Sequence, residues 1–149
     1  MTEFRHYRQL ITDGGAGGVP GDCFRTCIGM CIGLPPDHVP HFVDPDHFAD
    51  WRAAARRWLG LRGFDLIELP YPNPQEVIID QLRRYAHHAP VMLSGWGKGG
   101  DLHSVVVYQG NVYDPHPSDA GLCGPHPVSQ GSEIGYYWLR IIAPRPSRT

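Results

Sequence analysis

The sequence has no apolar run approaching the ~20 residues that a membrane-crossing helix needs. It has no surplus of either charge: 13 Lys and Arg stand against 15 Asp and Glu, and the formal net charge is -2. A broad electrostatic pull toward nucleic acid or an anionic membrane is therefore not expected. The start, Met1 to Tyr7, has no apolar stretch behind a basic end, so no signal peptide and a cytoplasmic location are expected. Cysteines are few, four in all, and Cys23, Cys27 and Cys31 crowd one short stretch. That spacing makes a poor disulfide framework, and the four read as core, metal or catalytic thiols.

Glycine and proline are abundant instead, 18 and 15 in 149 residues, which predicts many turns and irregular loops. The length fits one domain over 1–149, with 1–8 and 144–149 expected to fray. A flexible lead at 12–21 precedes a helix from Cys23 to about Gly33, for which Asp22 is the capping candidate. Pro35 and Pro36 end it, and 37–50 is expected to wander over the surface. A second helix runs from about Phe48 to Leu59, with Trp51, Ala55, Trp58 and Leu59 on one side. A strand follows at Phe64 to Leu69. A third helix, from Pro74 to about Ala86, turns Val77, Ile78, Leu82 and Tyr85 inward.

From Val91 the pattern turns to β. Strands are expected at Val91 to Trp96, Leu102 to Tyr108, Asn111 to Tyr113 and Ile134 to Ile142, with a hairpin at Gln109-Gly110 and a long loop over 115–133. Helices first and an antiparallel sheet after them give an α+β class.

The chemistry-bearing residues follow from placement. A nucleophilic thiol acts as thiolate, which the start of a helix favours, and only Cys23 has that setting. Cys27 and Cys31 lie on the face expected to be core. His103 begins a strand and Asp114 ends the one returning beside it, so the tight hairpin sets the two opposite each other, as base and orienting acid. Trp96 and His116 are placed at the cleft rim. The histidines at 38, 41 and 47, with Asp44 and Asp46, read as solvated loop residues, because no standard zinc spacing completes them; no metal or other cofactor is expected. Arg52, Arg56, Arg57 and Arg62 read as a solvated helix face rather than a nucleic-acid site, and Trp51, Trp58 and Trp138 sit at core spacing.

Gly21-Asp22-Cys23-Phe24-Arg25, then His103-Ser104-Val105-Val106-Val107, then Val112-Tyr113-Asp114-Pro115, together resemble the papain-like cysteine peptidase superfamily. The His, apolar-strand and Asp-Pro pattern is similar to that of bacteriocin-leader-processing peptidase domains, which however carry Gly where this chain has Phe24. The Asp-Cys-Phe-Arg stretch is similar to ovarian-tumour-type deubiquitinases, and the whole chain resembles small papain-like phage and bacterial proteins. The resemblance implies a papain-like fold, with the Cys23 helix packed on an antiparallel sheet. It implies a Cys23–His103–Asp114 triad cleaving a peptide, isopeptide or other amide bond in a protein or peptide substrate. It also implies an oxyanion hole, for which Gln9 is the upstream glutamine and Asp22 the substitute. The same triad would serve an acyltransferase, and the same groove an inactive module that holds a protein partner. The oligomeric state is not legible.

Overall fold

The computed structural model describes residues 3–12, 20–72, 74–86, 88–98, 101–127 and 135–146. The glycine-rich lead at 13–19, residues 73 and 87, the stretch 99–100, the segment 128–134 and the outermost ends, 1–2 and 147–149, lie outside them.

Three α-helices and an antiparallel sheet form a mixed α+β domain: α1 (Cys23–Ile32), α2 (Trp51–Gly60), β1 (Phe64–Tyr71), α3 (Gln75–Tyr85), β2 (Val91–Gly97), β3 (Leu102–Tyr108), β4 (Asn111–Tyr113), β5 (Leu122–Gly124), β6 (His126–Pro127) and β7 (Gly135–Pro144). The main path of the sheet has the order β1-β7-β2-β3-β4, with β5 added to β2 and β6 to β7. Both short strands lie in the segment expected to be irregular loop. No helix among the described residues is long and apolar enough to cross a membrane.

The sheet is buried on both faces at its centre, which explains why β2 and β3 read as continuous apolar runs rather than alternating ones. Met92 and Val106 join Phe24, Cys27, Ile28 and Met30 of α1 and Ala55 and Leu59 of α2 in the larger core. Leu93 and Val105, one residue along each strand, turn to the opposite face and pack with Ile78 of α3, Leu122 and Tyr137. Each such fully buried side chain contributes about 1.5–3 kcal/mol by leaving water. β1, at the edge, alternates half-buried and exposed residues along most of its length.

Four expectations need correction. The segment 37–50 is only partly on the surface: Asp37, His38, residues 45–47, Ala49 and Asp50 are exposed, but a short 3-10 turn at Pro36–His38 leads to Val39 and Phe42, each 1% exposed. Phe42 packs against Phe24, Phe48 and Trp58, and aromatic burial outweighs the polar character of its neighbours. The second helix begins at Trp51, because Asp50 Oδ1 accepts from the Ala53 amide and caps it there. On α3, Val77 and Tyr85 point to solvent and only Ile78 is buried. Residues 3–8 are not frayed: Phe4 packs on Tyr108 and Tyr113, and His6 and Arg8 bond the turn after β4. At the other end, Arg145 pairs with Asp65 at 2.7 Å.

Candidate active site

Helix α1 points its first turn at the end of the sheet where β3 begins. Asp22 occupies the N-cap position, but its side chain does not cap. The carboxylate turns back to accept from the amides of Leu10 and Ile11 and from Arg25 Nε, and it is fully buried. Neither the Cys23 nor the Phe24 amide has an acceptor among the described residues; an Asp22 cap would have taken the Phe24 or Arg25 amide, and the Cys23 amide, one position earlier, is free either way. Cys23 heads the helix with free N–H groups beside it.

His103 sits near the start of β3, paired in register with Gly95 of β2. The neighbouring Gly97 makes room for it, since a Cβ there would lie 2.9 Å from His103 Cβ. Nε2 of the imidazole lies 2.7 Å from Asp114 Oδ1. A carboxylate only accepts, so Nε2 carries the proton. The Cys23 thiol donates to the carbonyl of Leu102, one residue before His103, at 4.0 Å, and it borders the same cleft as the imidazole, whose free nitrogen is Nδ1.

The route by which His103 meets Asp114 differs from the expected one. The hairpin register pairs Val106 with Tyr113 and Tyr108 with Asn111. Continued by one residue, it sets Asp114 opposite Val105, and His103 is the diagonal neighbour on the same face. The chain leaves the ladder after Tyr113, and Asp114 is fixed by its own bonds: Oδ1 also accepts from the His116 amide, and Oδ2 from the Gly121 amide.

Burial works against the charge on His103, but hydrogen bonds to Asp114 and Cys23 and their charges outweigh it, lifting the imidazole from 6.5 to about 9. Burial likewise pushes Asp114 up, and the bonds from His103, His116 and Gly121 overcome it and hold the carboxyl below its ordinary range. The remaining thiols differ. Burial pushes Cys27 well up and Cys31 to about 12, while Cys123 is exposed on β5.

A cleft of about 1120 Å³ opens over these groups, lined by Gln9, Cys23, His103 and Asp114 among others. Trp96 and His116 also border it, Trp96 against His126 at 5.5 Å and His116 edge-on to His103 at 6.3 Å. Gln9 is buried, and its Nε2 donates one hydrogen to the Ile11 carbonyl at 2.7 Å. A Cβ on Gly21 would come within 3.2 Å of that nitrogen, so the glycine lets the amide approach. Asp22 does not fit an oxyanion role. Its carboxylate is acceptor-only and committed, and its amide already donates to the Ile11 carbonyl.

The cleft has a further wall that the sequence reading missed. Arg140, in β7, is 3% exposed, donates to Ser94 Oγ at 2.6 Å and pairs with Glu68 at 3.2 Å. Ser94 in turn shares a hydrogen bond with Ser104. Trp51, Arg52 and Trp138 complete that wall, so the two tryptophans are not wholly core and Arg52 is not simply a solvated charge. The signal was present as a lone Arg inside the apolar run Tyr136-Tyr137-Trp138-Leu139-Arg140-Ile141-Ile142. A charge in such a position is paired or put to use.

Among the described residues no group of three or more His, Cys, Asp or Glu side chains is arranged to hold a metal ion. Comparison with family models, with curated proteins and with solved structures finds no match.

Proposed function

We propose that this chain is a papain-like thiol hydrolase that cleaves a peptide, isopeptide or other amide bond, with Cys23 as nucleophile, His103 as base and acid, and Asp114 as the orienting group. One observation carries the reading. A cysteine at the first turn of a helix, in contact with the residue before an imidazole, and a carboxylate 2.7 Å from that imidazole all border one cleft.

In the proposed reaction Cys23 gives its proton to His103 Nδ1, and its sulfur attacks the substrate carbonyl carbon, forming the S–C bond as the carbonyl electron pair moves to oxygen. The free Cys23 amide and the second N–H of Gln9 Nε2 stabilise that oxyanion. Collapse breaks the C–N bond, and His103 passes its proton to the departing amine. Water then attacks the thioester while His103 takes the proton back, releasing the acid and restoring the thiol. Asp114 holds Nε2–H throughout, which keeps Nδ1 toward the sulfur.

The test is alkylation by iodoacetamide, read cysteine by cysteine by peptide mass spectrometry between pH 6 and 9. Exposure alone ranks Cys123 first, because Cys23 is only 9% exposed. A thiolate–imidazolium pair ranks Cys23 first at neutral pH, and His103→Ala removes the advantage. If Cys123 reacts faster in the wild type, or His103→Ala changes nothing, the catalytic reading falls. A groove that only holds a partner then takes its place.

A further inference from the structure

Glu68 is one carboxylate among three guanidinium groups. Arg140 lies 3.2 Å from it, Arg56 3.1 Å and Arg52 3.9 Å. Glu68 and Arg140 are nearly buried, at 6% and 4% side-chain exposure, while Arg52 and Arg56 reach solvent at 41% and 54%. Two positive charges remain uncompensated there among the described residues, at the wall of the cleft that holds Cys23.

The donors of this cluster are not used up. Arg140 engages Glu68 through Nε and Ser94 through Nη1, while no acceptor among the described residues meets Nη2. Arg52 makes no hydrogen bond among the described residues, and its Nε is buried 3.9 Å from Glu68 without a hydrogen-bond partner there. It is nonetheless held in place, its guanidinium 5.1 Å from the Trp51 ring and 5.0 Å from that of Trp138. A donor left without an acceptor costs free energy where it is buried, as Arg52 Nε is, so this one is held ready for an acceptor that packing does not supply. The guanidinium of Arg140 also lies 5.4 Å from the ring of Phe24, the residue after the nucleophile.

We infer that Arg52 and Arg140, framed by Trp51 and Trp138, form a subsite for a carboxylate of the substrate close to the bond that Cys23 attacks. A planar carboxylate accepts two N–H groups side by side, and the tryptophans shield the pair from water. The carboxylate belongs either to an acidic side chain or to the free C-terminus of a short peptide. This inference rests on the thiol-hydrolase reading of the cleft, and it extends that reading to the substrate.

Three electrophilic probes of equal length test it: chloroacetyl-glutamine amide (neutral), chloroacetyl-glutamate amide (acidic side chain) and chloroacetyl-glutamine with a free carboxylate. In each case the Cys23 sulfur displaces chloride from the CH2 carbon, so second-order labelling rates compare directly. At 0.15 M salt long-range attraction is screened beyond about 8 Å, leaving local contacts to decide. One acidic probe is expected to label Cys23 about tenfold faster than the neutral one, as a charge-assisted hydrogen bond provides. Which of the two gains identifies the source of the carboxylate. Arg52→Gln should collapse that ratio toward one. Arg84→Gln, which removes the same charge from an exposed site on α3, should leave it intact. Arg52→Lys, with circular dichroism as a check on folding, should lose most of the ratio because the forked geometry goes.

Equal rates for all three probes in the wild type overturn the inference. So does a preference that survives Arg52→Gln, or one that Arg84→Gln reduces equally. The neutral probe separates this outcome from the catalytic one. If it labels Cys23 no faster than Cys123 while the acidic preference persists, the hydrolase reading fails and the anion subsite stands.

Discussion

Replacing Asp114 with Asn removes one charge and leaves the shape of the side chain, so the consequence should be read first at His103. The imidazole titrates at about 9 against an ordinary 6.5, a difference of roughly 3 kcal/mol in favour of the charged form. Because the folded value is raised, this stabilisation is complete below about pH 6.5 and is lost as the pH rises through about 9. Asp114 is the mirror case. Its carboxyl is held low, so its contribution is present above the ordinary carboxylate range and lost as pH falls through the folded value. Both statements describe largely one interaction, and their energies are not added. With Asn at 114, burial acts on His103 without the countercharge, and the ring should be neutral at pH 7. The amide also meets a mismatch. With its oxygen kept toward His103 and His116, its NH2 faces the Gly121 amide, and the unpaired donor costs about 1–3 kcal/mol. Two measurements check this. Ring Cε1–H resonances of labelled histidine, with His103 assigned from His103→Gln, should give a midpoint near 9 in the wild type and below 7 in Asp114→Asn. Urea melts should show the largest gap between the two proteins near pH 6 to 7, narrowing above pH 9. A His103 midpoint that stays near 9 in Asp114→Asn, or a gap independent of pH, would refute the coupling.

Phe42→Ala should destabilise the protein by about 3–5 kcal/mol in urea melts, since the ring is 1% exposed and meets three other aromatic rings; a loss below 1 kcal/mol would remove the 37–50 segment from the core. Arg8→Ala should change stability by only about 0.2–1 kcal/mol, because its pair with Asp119 is half-exposed. It should nevertheless slow Cys23 alkylation, since the same guanidinium holds the carbonyls of Asp114 and His116; an unchanged rate would show that this contact does not position the triad.

What was legible in the sequence was local. Asn111 to Tyr113 and Leu102 to Tyr108 flank a two-residue turn, and strand periodicity and turn chemistry act within a few residues. The partnership of His103 with Asp114 was legible for the same reason, although the register shifts it to a diagonal contact. What was not legible depended on long-range packing. Arg140 finds Glu68 across β1 and β7, and Phe42 finds Trp58 across a loop, and neither contact leaves a periodic trace. Asp22 shows the limit most clearly. An Asp before a helix is a capping signal, yet two amides from residues 10 and 11 together with Arg25 outcompete the helix for its carboxylate.

That competition has a structural consequence for the cleft. The cysteine and the acid come from parts of the chain far apart in sequence, and the segment 3–12 ties them together. At one end Leu10 and Ile11 donate to Asp22, directly before Cys23. At the other, His6 and Arg8 bond the Asp114 carbonyl, and the Gln9 amide donates to the Pro115 carbonyl. Gln9 itself lies between these anchors, which is how a glutamine well upstream of the cysteine comes to border the same cleft. The tie uses the Asp22 carboxylate that would otherwise cap α1 by accepting from the Phe24 or Arg25 amide, so the anchoring of segment 3–12 takes the place of a side-chain cap. If Asp22 capped its own helix, it would accept from the Phe24 or Arg25 amide, leave the Cys23 amide free as before, and strip the segment 3–12 of its second anchor.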